Sequence, residues 1–113
     1  MNSFAKIKQA CERIGLPAYP DFNTQGEETY VVYNVAAETP TYFADDAPQA
    51  VIADLQAHLY MPADKNFFDD NLKMKRALFD AGFTFPAVVL NTTEENNTVR
   101  HIVYEFEDDI DDI

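Results

Sequence analysis

Alternating apolar and polar residues between Ala50 and Tyr60 form the clearest pattern in the chain. The apolar positions are Val51, Ala53, Leu55, Ala57 and Leu59, and the positions between them are Ile52, Asp54, Gln56, His58 and Tyr60. In an extended strand the two sets point to opposite sides. Because only one side is clearly apolar, the pattern predicts a strand of an antiparallel sheet that is covered on one face only.

Three further segments, residues 29–36, 83–90 and 98–107, are rich in β-branched and aromatic residues and predict strands. Pro86 lies in the second of them, and because proline lacks a backbone donor it predicts an edge position. In the last strand one face would carry Ile102, Tyr104 and Phe106, and the other Val99, His101 and Val103. The chain between the first two strands, which contains Pro40 and Pro48, is predicted to be a loop.

Helical spacing of apolar residues predicts two helices. The first would be capped by Ser3 and end at Gly15. Its apolar stripe comprises Phe4, Ile7, Ala10, Cys11 and Ile14. The second covers about residues 65–81, with Asp64 or Asn66 as its cap. Its broader stripe comprises Phe68, Leu72, Met74, Ala77, Leu78, Phe79 and Ala81.

The order helix, strand, strand, helix, strand, strand predicts one α+β domain over residues 1–107. Two helices would pack on one face of a four-stranded, mainly antiparallel sheet. Residues 108–113 contain four acids and no base, and they are predicted to form an acidic, flexible tail.

Charge and composition narrow the class of function. The 113 residues include 20 acids and 8 bases, and the formal net charge is −12. Affinity for nucleic acid comes mainly from cations, so the chain is not expected to bind DNA by itself, and it should avoid anionic membranes. No apolar run has the length of a signal peptide or a membrane span. The single cysteine cannot form an intrachain disulfide, and together these features predict a cytoplasmic protein without a membrane partner.

No catalytic, cofactor-binding or metal-binding set emerges from the sequence. The three glycines are isolated, and Ser3 is the only serine, so neither a phosphate loop nor a serine triad can be assembled. His58 and His101 would approach each other if their strands were neighbours, with Asp54 as a possible third ligand. Two histidines without a third ligand at a defined spacing are a weak metal signal, and solvated or acid-paired histidines are the preferred interpretation. We therefore expect a protein that is not an enzyme and that needs no cofactor.

The best candidate for an interaction site is the predicted loop around Asp45 and Asp46. These acids are flanked by Tyr42, Phe43 and Pro48. Aromatic side chains in a loop are either buried or bound to a partner. The two alternatives, a partner-binding loop and a loop that folds back over its own core, are equally compatible with the sequence.

Several short segments, in this order and spacing, resemble the small tail-completion, or tail-terminator, proteins of long-tailed bacteriophages and prophages. The segments that carry the resemblance are Tyr30–Asn34, Phe43–Pro48, Val51–Tyr60, Leu78–Phe83 and His101–Phe106. The Phe-Ala-Asp-Asp-Ala-Pro loop and the Ala-Gly-Phe end of the second helix are the most distinctive. Together the segments extend over about residues 29–107.

The resemblance implies a structural role without catalysis. Such proteins form a ring, typically of six copies, on the end of a finished tail tube, stop its growth and present a surface to the head connector. The implied partners are further copies of the chain, the tail-tube protein and the connector. The implied location is the virion tail, after assembly in the host cytoplasm. DNA would pass through without specific binding, along a channel that we expect to be lined by acids.

Two features of the predicted fold suit contacts between copies in such a ring. One is the edge strand marked by Pro86, and the other is the half-apolar second face of the sheet, with Ile52 and Tyr60. A ring is a heterologous contact that closes on itself. These residues therefore join Tyr42, Phe43, Asp45, Asp46 and Pro48 as the predicted protein interface.

Two other classes of function stay open at the level of sequence. A small acidic domain can mimic DNA and inhibit a nucleic-acid-binding protein, in which case acids should cover a whole face like phosphates. A small enzyme or ligand-binding domain would instead show a polar pocket with perturbed titrating groups near His58, His101 or Asp45.

Overall fold

Residues 2–23, 25–44 and 47–110 are described by the structure, a computed structural model, with backbone alone at residues 42–44 and 47–49. Within these ranges the elements are α1 (Ser3–Arg13), β1 (Ala18–Pro20), β2 (Tyr30–Ala44), β3 (Ala47–Pro62), α2 (Phe68–Asp80), β4 (Ala87–Glu94) and β5 (Val99–Ile110). The strands form one sheet in the order β1-β2-β3-β5-β4. The β1–β2 pair is parallel and the other pairs are antiparallel. Neither described helix is long and apolar enough to cross a membrane.

The two helices pack against one face of the sheet, as the sequence predicted. Helix α1 contributes Ile7, Ala10 and Cys11 to the core, α2 contributes Met74 and Leu78, and the strands contribute Leu55, Ala57, Leu59, Ile102, Tyr104 and Phe106. The predicted alternation in β3 and β5 is thereby confirmed. Burial raises the pKa of the Cys11 thiol to about 12, so this cysteine is a core residue and stays protonated.

The sheet has five described strands and not the predicted four. The added strand, β1, lies within residues 16–28, where Pro17, Pro20, Asn23 and Gly26 predict a loop. It pairs with β2 from Ala18↔Val31 to Pro20↔Tyr33. Three residues are too few to show a strand period, and one of them is a proline. The buried Ala18 side chain holds this short strand against the core.

The predicted loop between the first two strands is also wrong, because β2 and β3 form one long hairpin. Their pairing continues to Ala44↔Ala47. Pro40 is tolerated within β2 because β1 pairs only with Val31–Tyr33, so no described strand pairs with the other side of β2 at this point. The hairpin extends beyond the helices, and the described part of the molecule measures 55 × 26 × 25 Å.

The start of β4 and the end of β5 also differ from the predicted bounds. Strand β4 is an edge strand, as expected, but it begins at Ala87, and Pro86 precedes it with its side chain buried. Strand β5 continues to Ile110, so the predicted end of this strand at residue 107 is wrong, and residues 111–113 of the predicted acidic tail lie outside the described residues.

Contacts with α1 explain why the strand continues through Asp108. The Asp108 Oδ2 atom lies 2.7 Å from Lys6 Nζ and accepts a hydrogen bond of 2.7 Å from Ser3 Oγ. Ser3 is therefore not the helix cap that the sequence suggested. The cap is Asn2, whose side chain accepts a hydrogen bond from the Ala5 backbone N–H. The other predicted helix, α2, begins at Phe68, whose backbone N–H donates to the Asn66 side chain.

We predict that Asp108→Ala lowers the free energy of unfolding by about 1–3 kcal/mol, because it leaves Lys6 and Ser3 without their buried acceptor. The matched control is Asp109→Ala, which removes an exposed carboxylate from the next residue of the strand and should change stability by less than about 0.5 kcal/mol. Urea unfolding of both variants measures the difference. Equal losses would show that the contact with α1 contributes nothing specific.

Candidate protein-interaction surfaces

The side of the sheet that faces away from the helices is called the open face here. Its residues follow from the strand pairing, since side chains alternate between the two faces. The open-face residues of the four long strands include Tyr30, Val32, Asn34, Ile52, Asp54, Gln56, His58, Tyr60, Leu90, Thr92, Glu94, Val99, His101, Val103, Glu105, Glu107 and Asp109. In the described residues neither helix covers this face.

A row of stacked rings crosses one end of the open face. Tyr30 stacks on Tyr60 with 5.0 Å between ring centroids, and Tyr60 stacks on His101 at 4.3 Å. The three residues are direct neighbours in the strand pairing, so the stack is fixed by the strand register. Tyr60, a predicted interface residue, is thus half-buried within this row, and burial raises the pKa of its phenol.

The two histidines do approach each other, because β3 and β5 are neighbours. His58 Nδ1 lies 2.8 Å from His101 Nε2, and His101 Nδ1 lies 2.8 Å from Glu94 Oε2. The arrangement is satisfied when His101 donates to Glu94 and His58 donates to His101. Burial, followed by the charge that His101 can carry, lowers the pKa of His58 below its ordinary value of 6.5, while Glu94 acts in the opposite direction.

The histidine pair has no described third ligand. Asp54, which the sequence offered for this role, lies opposite Glu107 in the strand pairing and not beside the histidines. Within the described residues no group of three or more His, Cys, Asp or Glu side chains is placed to hold a metal ion. The pair is therefore best described as a hydrogen-bonded part of the sheet.

Bases are concentrated on the helix side of the sheet, although α1 and α2 also carry the acids Glu12, Asp69, Asp70 and Asp80. The open face carries Asp54, Glu94, Glu105, Glu107 and Asp109, and none of its described residues is a lysine or arginine. Six of the eight bases lie on α1 and α2, and the other two are Lys65, just before α2, and Arg100, whose guanidinium lies 4.5 Å from the Phe67 ring centroid. The sequence shows acids at every second residue from Glu105 to Asp109, which is the spacing of one strand face. They share a face in the structure because β5 continues to Ile110.

The cations of the helices border a groove between α1 and α2, called the helix groove here. Its volume is about 340 Å³, and its apolar lining is Ile14, Leu72 and Ala77. Arg13, Lys73 and Arg76 also line it, with one acid, Asp80. The ion pairs found among the described residues are Lys6–Asp108 and His101–Glu94, so no described carboxylate pairs with the three groove cations. The groove combines apolar surface with cations that have no described ion-pair partner, a combination that the sequence pattern does not show because its residues come from two helices.

The free edge of β4 is apolar. Val88, Val89 and Leu90 are exposed. The exposed ring of Phe85, just before β4, contacts the exposed ring of Phe79 on α2, with 5.7 Å between their centroids. An exposed apolar edge strand is a template for pairing with another chain. The edge predicted from Pro86 is therefore present, although the exposed residues are its neighbours and not Pro86 itself.

The remaining predicted interface residues fall into two groups. Asp45 and Asp46 lie outside the described residues, and so do the side chains of Tyr42, Phe43 and Pro48. Ile52 lies on the open face, opposite Asp109 and Thr39. It shares this face with Tyr60, about 26 Å further along the same strand.

A comparison with protein-family models finds no match, and a comparison with curated protein sequences finds none either. A comparison with solved structures finds a similar fold in a chain of the structure titled "Virion of native gene transfer agent (GTA) particle". The two chains share 15% sequence identity with a TM-score of 0.52, over 89% of this chain and 83% of the other. At this identity the likeness is one of fold.

We predict that His58 makes the protein less stable in mild acid. Because the folded protein binds a proton at His58 more weakly than the unfolded chain does, its contribution to stability is complete above pH ~6.5 and is lost as the pH falls through ~6.5 toward the lower pKa of the folded state. Urea unfolding between about pH 7.5 and pH 5 should therefore show a steeper loss for the wild type than for His58→Gln. Identical pH profiles would contradict this role of His58.

Proposed function

We propose that the chain is a structural protein of a phage-like virion that completes the tail. It would form a closed ring on the end of the tail tube and join the tube to the head connector. The observation that carries the proposal is the shared fold with a chain of a gene transfer agent virion, which extends over most of both chains. The local resemblance of the sequence to tail-completion proteins supports it independently.

The surfaces of the protein support a role in assembly. A closed ring needs two different contact surfaces on each copy. The chain has an open sheet face and a β4 edge that share the exposed Leu90, and, on the other side of the sheet, a helix groove with the exposed Leu72. Two of these surfaces are enough for the two contacts that each copy makes in a closed ring.

A role without catalysis is part of the same proposal. Cys11 is buried with a raised pKa, which is the opposite of what a nucleophilic thiol needs. His101 is buried between His58 and Glu94. Both residues are therefore accounted for as parts of the core and the sheet.

In the proposed assembly the partners are further copies, six in the typical ring, the tail-tube protein and the connector. The protein would meet them in the host cytoplasm and remain in the virion tail. DNA would pass through the ring without specific binding. With a net charge of −12, acids along the channel would repel the phosphate backbone and let it slide. A ring structure with a basic channel would exclude this part of the proposal.

Deletion of the gene from the phage or prophage that encodes it tests the function. We expect electron micrographs of the lysate to show filled heads beside free tails, or tails of uncontrolled length, and we expect wild-type protein supplied in trans to restore infectious particles. Free tails of normal length would indicate joining, and overlong tails would indicate termination. Normal infectious particles from the deletion strain would contradict the proposal.

One observation favours a second candidate, an acidic mimic of DNA. Glu105, Glu107 and Asp109 occupy every second residue on the open side of β5, and Asp54 lies beside them. This row is an exposed line of negative charge without a described base. A mimic would bind a nucleic-acid-binding protein in a way that salt abolishes and that DNA competes with. Capture of such a protein, together with normal particles from the deletion strain, would favour this alternative.

A further inference from the structure

We propose that the open face of one copy binds the helix groove of a second copy. The contact is heterologous, because the two surfaces lie on opposite sides of the same two-layer molecule. It rests on the proposed function, for which it supplies the contact between neighbours in the ring. Each copy would use its groove toward one neighbour and its open face toward the other.

Charge complementarity is the first argument for a second copy as the partner. The groove has Arg13, Lys73 and Arg76 without a described carboxylate partner. The open face has five acids without a described lysine or arginine. Copies with a net charge of −12 repel each other in most orientations. Stacking groove on open face is the orientation that brings the cations of one copy to the acids of the next.

The position of the acids within the sheet gives a second argument. Asp54 and Glu107 lie directly opposite each other in the β3–β5 pairing. Like charges at this spacing destabilise a sheet. A cation from another chain, such as Lys73 or Arg76 of a second copy, would relieve the repulsion. The carboxylates of the open face would therefore be more stable beside the cations of a second copy than in the isolated protein.

Apolar surface on both sides of the contact gives a third argument. Leu72, in the groove, is 64% exposed, and Phe68, one turn earlier on α2, is 68% exposed. On the open face Leu90 is 42% exposed, and Val32 and Ile52 are half-buried. An apolar centre with charged groups around it is the usual anatomy of a specific interface. The second copy would also supply the layer that this side of the sheet lacks.

Charge reversal on each surface tests the contact. The groove variant is Lys73→Glu with Arg76→Glu, and the face variant is Glu105→Lys with Glu107→Lys. All four residues are exposed. We expect wild-type protein at low salt to self-associate in sedimentation velocity and each double variant to bind itself about tenfold more weakly or worse. An equimolar mixture of the two double variants should associate, and the variant with all four changes should regain the wild-type affinity.

The design separates a specific contact from an effect of net charge. The groove variant is more acidic than the wild type and the face variant is less acidic, so general repulsion alone would make the face variant associate more strongly. The matched control, Glu38→Lys, reverses an exposed acid on the hairpin, opposite the core-facing Ala53, and should keep the wild-type affinity or exceed it. Urea unfolding of every variant confirms that it is folded.

Three results would overturn the proposal. They are a wild-type protein that stays monomeric at low salt and about millimolar concentration, a face variant that associates as well as the wild type, and a fourfold variant that does not recover. A different pair of results would show that the groove binds the end of the chain and not the open face. In that case removal of residues 111–113 would abolish association, while the face variant would associate as well as the wild type. If the association experiments fail but the deletion strain has a tail defect, only this contact is excluded. If the deletion strain forms normal particles, the tail function itself is excluded.

Discussion

The sheet of this protein is covered by helices on one side only, and most of its other properties follow from that constraint. Two helices of 11 and 13 residues bury one face of β2, β3 and β5 and form the core. Nothing among the described residues forms a third layer. The opposite face must therefore be stable in water or be covered by another molecule.

The protein meets the constraint with polar and charged side chains on the open face. Stacked rings and the His58–His101–Glu94 hydrogen bonds hold one end of it together. Carboxylates keep the rest soluble, while the bases are concentrated on the helices. An open face with acids and no described lysine or arginine, together with the bases on the helices, gives two copies a preferred relative orientation.

The core and the open face could be predicted from the sequence because they depend on local periodicity. The alternation from Val51 to Tyr60 and the apolar stripe of α1 are each visible within one short segment of the sequence. The class of fold and the one-sided sheet follow from these patterns. The meeting of His58 and His101 followed only on the condition that their strands were neighbours, since periodicity does not give strand order.

The features that could not be predicted depend on contacts distant in sequence. Strand β1 exists because Ala18 fits the core beside Val31, and β5 reaches Ile110 because Lys6 and Ser3 hold Asp108. Pro40 predicts a loop, yet it lies within β2, at a point where no described strand pairs with the side of β2 that faces away from β3. The helix groove combines residues from both helices, so no single stretch of sequence shows it. In each case the deciding partner lies on another element.

The most direct test of the account is a cryo-electron microscopy map of the assembled particle at a resolution that shows helices and strands. The account predicts a closed ring of this chain at the head-proximal end of the tail tube, with the open face of each copy against the α1 and α2 helices of the next. Absence of the chain from the particle would contradict the proposed function. A ring in which the open face instead lines the channel would keep the function and contradict the contact.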